Sequence, residues 1–258
     1  MKRVLIILFL LSHFLFIAKA QEPLVFVTSD YPPYVINNNG IANGMIPELI
    51  KAVFKDTDIE VEFKFQPWNR GQLSVSKGLA FAAFPYVFTD ERAKDFDFSD
   101  PFLAFFPKFF YKKTRFPNGF SWQELADFHG YRMGGVRGFW YQASFDALGL
   151  NVSYVSTDLQ NMTMLLKDRI DFTLIDELVG WDLIRTHIPE NIADFSVVTK
   201  PESRSALHLM ISREYPNAKA LTQTFNQGLQ KLKDNGIYQN IIEKYHAPKE
   251  YSTSPKIH

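Results

Sequence analysis

Arg92 lies in the run from Thr89 to Pro101, a few residues after an apolar stretch, and its side chain could bind an anion. Its planar guanidinium presents two parallel N–H groups that match the two oxygens of a carboxylate, a geometry lysine cannot reproduce. The same residue could instead sit at the surface, paired with Asp90 or Asp95. A second candidate is the glycine-rich stretch Gly134-Gly135-Val136-Arg137-Gly138, placed between a strand-like and a helix-like segment. Backbone N–H groups at such a helix start attract anions, although glycines there also serve a plain tight turn. Asp176 follows an apolar run and precedes a helical pattern, the place of a helix N-cap.

Chemistry beyond binding finds little support. There is no Gly-x-Ser-x-Gly, no His-Glu-x-x-His and no Gly-x-x-x-x-Gly-Lys loop. The chain has no cysteine, which excludes disulfides, thiol nucleophiles, cysteine metal sites and a lipid-modified cysteine. His129, His187, His208 and His246 are scattered without metal-ligand spacing and are taken as structural or surface residues. No catalytic residue, metal or cofactor is therefore expected.

These residues need a scaffold, and short β-branched or aromatic runs alternate with helix-period segments, which argues for βα units in an α/β fold. Strands are predicted at Leu24–Thr28, Ile59–Phe65, Leu79–Phe84 and Phe105–Tyr111, with a helix at Met45–Phe54 whose Ile46, Leu49, Ile50 and Val53 share a face. The charged segment 112–119, with Pro117 and Gly119, reads as a crossing between two lobes. A second βα set follows: helix Trp122–Phe128, strand Arg132–Val136, helix Trp140–Leu148, strand Val152–Val155, helix Leu159–Lys167, strand Phe172–Ile175 and helix Glu177–His187. Polar Thr199–Ser205 reads as the return crossing and Ala206–Ser212 as a strand rejoining the first lobe. Ala218–Asn235 is a periodic helix stopped by Gly236. The boundaries expected are lobe 1 at 21–112 plus 206–248, lobe 2 at 113–205 and a frayed tail at 249–258.

At the other end, Lys2 and Arg3 precede an apolar stretch from Val4 to Ala18 and the small-residue pattern Ala18-Lys19-Ala20, which together read as a secretory signal over 1–20 cleaved after Ala20. Removal leaves 238 of 258 residues, with 25 basic against 28 acidic side chains, a net charge of −3. That balance argues against a nucleic-acid partner. The 25 phenylalanines are taken mainly as core.

The ordered set Tyr31-Pro32-Pro33-Tyr34, Asn39-Gly40, Gly44, Pro67-Trp68-Asn69-Arg70, Thr89 to Arg92, Phe98 to Pro101, Gly134 to Gly138 and Asp171 to Glu177 resembles the bacterial periplasmic solute-binding proteins of family 3, the polar amino acid type. The resemblance runs from the first strand to the final helix. It implies a two-lobed periplasmic binding fold of type II, with mixed sheets, helices on both faces and two crossing strands as hinge. It also implies that Arg92 grips an anionic head group and Asp176 an α-ammonium, while the rings of Tyr31 and Trp68 sandwich the ligand's side chain, where stacking or cation–π energy is available. Two departures stand out. Phe139 follows Gly138 where the family commonly has a serine or threonine. Phe84-Pro85-Tyr86-Val87 replaces small or hydroxyl residues, and Pro85 offers no N–H, so the ligand is either not a standard amino acid or sits differently against Arg92, Phe84 and Tyr86.

The resulting expectation is a monomeric periplasmic protein that captures a small polar solute, an amino acid or related carboxylate, between closing lobes and delivers it to the membrane permease of an ABC transporter. Its expected ligand-binding residues are Tyr31, Trp68, Phe84, Tyr86, Arg92, Gly138, Phe139 and Asp176. The alternatives are a cyclohexadienyl dehydratase-like enzyme on the same scaffold, with Glu177 or Asp176 as its acid or base, and a ligand-sensing module.

Overall fold

A computed structural model describes residues 22–245. The expected signal segment, its cleavage point and the expected tail lie outside the described residues. The chain forms β1 (Leu24–Thr28), the hairpin β2 (Ile36–Asn38) and β3 (Ile41–Asn43), α1 (Met45–Phe54), β4 (Val61–Phe65), α2 (Trp68–Ser76), β5 (Ala82–Val87), β6 (Asp97–Phe98) and β7 (Leu103–Phe105). There follow β8 (Pro107–Lys112), β9 (Met133–Val136), α3 (Gln142–Ala147), β10 (Val152–Val155), α4 (Asp158–Leu166), β11 (Phe172–Asp176), α5 (Glu177–His187) and β12 (Phe195–Val197). The last elements are β13 (Ser205–Ile211), α6 (Ala218–Asp234) and α7 (Ile237–Lys244).

Two sheets divide the molecule. The first runs β4-β1-β5-β13-β6, with β7 also paired to β13; the second runs β10-β9-β11-β8-β12. In each, parallel βα strands carry antiparallel neighbours: β13 against β5 in the first, β8 against β11 in the second. The parallel pairs are the signature of the predicted βα units. Strands covered on both faces read as unbroken apolar runs, and β5 and β11 are buried at every position.

The first crossing lies earlier than expected. Phe105 still pairs with Ser205 in the first sheet, whereas Pro107 pairs with Asp176 in the second, so the chain passes between lobes at Phe106 and the predicted long strand is two. Pro107 supplies the reason, because it restricts the backbone of Phe106 and lacks an N–H. The return crossing runs between β12 and β13, as the polar segment suggested. Other shifts are local. The predicted strand Leu79–Phe84 begins only at Ala82, with Leu79 71% exposed, and Trp122–Phe128 yields just a 3-10 turn at Leu125–Phe128.

Capping fixes the ends of the helices that face the second sheet. Thr157 accepts from the backbone of Gln160, whose amide reaches back to the backbone N–H of Thr157 and so closes a capping box for α4. Asp176 caps α5. Much of the phenylalanine content fills the second lobe, where Phe109, Phe128 and Phe172 pack ring to ring with Phe116, Phe120 and Tyr131. Asp171, in the Asp171–Glu177 motif, clamps this lobe: its carboxylate accepts from Nε, Nη2 and the backbone N–H of Arg132, which hold its pKa below the usual carboxylate range against the opposing effect of burial.

Candidate functional site

Arg92 opens a 3-10 turn, Arg92–Lys94, just beyond β5. Its backbone N–H bonds to Thr89 Oγ1 at 3.2 Å, so the Thr-x-x-Arg spacing forms a local cap. Neither Asp90 nor Asp95 pairs with its side chain. Nη1 donates to the carbonyl of Val87 at 2.9 Å, in lobe 1, and Nη2 to the carbonyl of Gly138 at 3.0 Å, in lobe 2. The guanidinium lies over the Tyr86 ring, 4.8 Å from its centroid. Burial pulls Arg92 below its ordinary pKa, and burial likewise pushes the Tyr86 phenol up to about 12. Both keep their protons at neutral pH, the phenol donating to the carbonyl of Trp68 at 2.9 Å.

The turn itself is clamped from behind by a residue the sequence did not single out. Arg213, just after β13, donates to the carbonyls of Lys94, Ala93 and Phe96 at 2.6, 2.9 and 3.1 Å and to Asp97 Oδ1 at 2.8 Å.

Between the lobes is a small cavity of about 30 Å³, lined by Tyr31, Trp68, Tyr86, Arg92, Gly138 and Phe139 from the expected set. Pro85, Val87, Phe105, Trp140 and Leu207 complete it. Such a volume holds roughly one water molecule. Arg92 is the one charged side chain lining it among the described residues. Outside it a groove of about 350 Å³ shares Arg92, Gly138, Phe139 and Trp140 and is bordered by Glu91, Asp95 and Asp146.

Phe139 explains why the cavity is small. It reaches from lobe 2 into lobe 1, meeting Tyr31 edge to face at 6.3 Å and Trp68 at 5.8 Å between centroids. On its other side it stacks on Trp140 at 5.5 Å, and Trp140 meets Phe105 at 4.9 Å. These are preferred aromatic geometries. Tyr31 and Trp68 themselves meet edge to face at 5.8 Å, so they form no open sandwich and Phe139 packs against the pair.

The glycine loop is a turn with its donors used. Val136 N–H donates to Tyr141 Oη, Arg137 N–H to the carbonyl of Val155, Gly138 N–H to Gln142 Oε1 and Phe139 N–H to the carbonyl of Val136. The anion-cradle alternative finds no open N–H at these four positions. Gly134 is needed for packing, since a Cβ there would stand 2.5 Å from Ile170 Cδ1 and 2.6 Å from Asn161 Oδ1.

Two expected residues stand away from the cavity. Phe84 is fully buried in the lobe 1 core, edge-on to Phe26 and Phe63, because alternation along β5 turns it to the face opposite Pro85. Asp176 is also fully buried, and its oxygens are taken. Oδ1 accepts from Tyr34 Oη at 3.0 Å, Leu178 N–H at 3.0 Å and Val179 N–H at 3.4 Å, and Oδ2 accepts from Phe106 N–H at 3.1 Å. Burial raises its pKa to about 7 despite these four donors. Tyr34 belongs to lobe 1, so this bond, like that from Arg92 to Gly138, spans the lobes. Glu177 pairs with Lys108 at 2.5 Å beside a separate hollow lined by Phe106, Thr199, Pro201 and Arg204.

Residues 24–248 match the family model of the bacterial extracellular solute-binding proteins, family 3. Over 250 residues the chain is 28% identical to the ABC transporter arginine-binding protein 1 of Escherichia coli (strain K12), covering 93% of this chain and 98% of that one. An ancestral arginine-binding protein bound to arginine superposes with a TM-score of 0.74 at 22% identity, covering 88% and 99% of the two chains. A histidine kinase sensor domain with similarity to periplasmic binding proteins gives 0.76 at 19% identity, covering 88% and 96%. These structures share the fold, the type II two-lobed arrangement expected from the motifs.

Proposed function

The chain is a member of family 3 of the bacterial extracellular solute-binding proteins, and on that premise we propose that it captures an amino acid or related carboxylate between its lobes and delivers it to the permease of an ABC transporter. Arg92 carries the reading. A guanidinium withdrawn from water among aromatic walls, with its second N–H group bonded only to a carbonyl of the opposite lobe, gains most when that carbonyl is exchanged for a carboxylate.

Tyr31, Trp68 and Tyr86 form the walls, and Gly138 and Phe139 close from lobe 2. Phe84 supports the wall from the core, and Asp176 holds the closed lobes together through Tyr34. Hinge motion at Phe106 and in the return crossing admits the solute. The protein works in the periplasm as a single chain, released by cleavage after Ala20. As an enzyme it would need an acid or base at the cavity, whereas Glu177 is turned to Lys108 and Asp176 is sealed by four donors.

Thermal unfolding in the presence of amino acids, amines and small carboxylates tests the proposal. A ligand at a hundred times its Kd stabilises the folded protein by about 2.7 kcal/mol. A panel that leaves the midpoint unmoved at millimolar concentration defeats the amino acid reading.

A further inference from the structure

We propose that Phe139 determines the specificity of the cleft by competing with the ligand for one seat, so that the site selects carboxylates whose side chain is planar and large enough to replace its ring. The inference rests on the solute-binding reading above and deepens it.

Three features meet at this residue. The ring is 8% exposed and packs edge to face against both Tyr31 and Trp68, which also touch each other, so it covers the aromatic surface that a planar ligand group would otherwise meet. The remaining cavity of about 30 Å³ cannot take even a small amino acid beside it. The backbone of the adjoining Gly138 gives its carbonyl to Arg92, so the same short segment occupies the guanidinium and the aromatic pair together. A solute that engages Arg92 must therefore displace Gly138 and Phe139 as one unit.

The consequence is a threshold on side chains. Expelling a phenylalanine ring from an apolar seat is unfavourable, and a ligand offsets this only by burying a comparable planar surface against Tyr31 and Trp68. A small aliphatic side chain would leave the seat part empty, with its lining short of contacts. Gly138 constrains the unit further: its φ of +81° suits glycine, and a Cβ there would collide with Asn69 Oδ1 of lobe 1. Phe139 is thus presented from a backbone closely fitted to the opposite lobe.

The test is calorimetric titration of the wild type and Phe139→Ala with arginine, histidine, phenylalanine, alanine and valine. The expected result is that wild type prefers the planar side chains and that Phe139→Ala binds the best of them at least tenfold tighter, about 1.4 kcal/mol, while its preference over alanine and valine narrows. Binding by the variant of a compound that wild type does not bind also supports the inference. If wild type binds a panel member and Phe139→Ala binds it equally or more weakly, Phe139 is an ordinary contact and the inference falls, with solute binding intact. If neither protein binds any of them, the inference and the amino acid reading fall together. Phe139→Leu, which keeps an apolar side chain for folding, should show a smaller gain in the same direction, and a loss of affinity there overturns the inference as well.

Discussion

Arg92 and Gly138 are joined across the cleft by a hydrogen bond of 3.0 Å from Nη2 to the backbone carbonyl, while Nη1 of the same guanidinium holds Val87 of its own lobe. One half of the fork is thus anchored where it originates, and the other half is exchangeable when the lobes part. This division suits a residue that must be preorganised before its ligand arrives.

Arg92→Ala should weaken binding of the preferred ligand by well over tenfold while the protein remains folded, because truncating one partner of a buried charge pair costs roughly 2 to 5 kcal/mol. Arg92→Lys should recover little, since an ammonium cannot hold Val87 and a carboxylate in the same fork. Calorimetry on both variants decides the point, and unchanged affinity removes Arg92 from the site.

Arg213→Ala should act on the same step without touching the cavity. Arg213 ties together the carbonyls of Ala93, Lys94 and Phe96, so its loss lets the turn that carries Arg92 fray. The expected outcome is a threefold to tenfold loss of affinity, up to about 1.4 kcal/mol. Stability should fall by about 1 kcal/mol, as the side chain is 42% exposed and its interactions are partly screened by solvent. Wild-type affinity in a variant of reduced stability would show that the turn keeps its shape without the clamp.

Arg213 also marks the limit of what the sequence reveals. The βα alternation is legible because local periodicity produces it, and the return crossing because Thr199–Ser205 is polar and holds Pro201, whereas the turn that carries Arg92 emerges only in the structure. The position of the first crossing depended on which sheet Pro107 to Lys112 would join, a pairing with Asp176 some seventy positions away in the chain. Phe139 stands out in the sequence as a departure, yet its seat against Tyr31 and Trp68 follows from the approach of the two lobes. Phe84 and Tyr86 read alike as aromatic candidates and, two apart on β5, would share a face by plain alternation; a register shift in the pairing of β5 with β13 separates them, and no local pattern announces it.

Asp176 should prove a node of the closed form. Tyr34→Phe removes one inter-lobe hydrogen bond and should cost about 0.5 to 1.5 kcal/mol. Asp176→Ala removes the acceptor of that hydroxyl and of three backbone N–H groups, including the cap of α5, and should cost clearly more, on the order of 2 kcal/mol or above. Urea unfolding of the unliganded proteins compares the two. Equal losses would show that the carboxylate contributes nothing beyond its bond to Tyr34.

Asp158 gives the protein a pH dependence that can be measured separately from the cleft. It is buried on α4, its Oδ1 lacks a hydrogen-bond partner among the described residues, and both side-chain polar atoms of Asn161, one turn on, lack one too. Burial, aided by the charge of Asp176, raises its pKa to about 8, against about 3.9 for an unfolded aspartate. The folded state therefore binds a proton that the unfolded state has released between these values, so stability from this group is fully present below about pH 4 and is lost as pH rises to about 8. Asp158→Asn keeps the shape and removes the charge. It should gain on wild type progressively from pH 4 to pH 8, by at least about 1.4 kcal/mol, the equivalent of one pKa unit, with no further gain above. Denaturant unfolding at pH 4, 6, 8 and 9 measures the difference, and parallel stability curves for the two proteins would mean that Asp158 titrates normally.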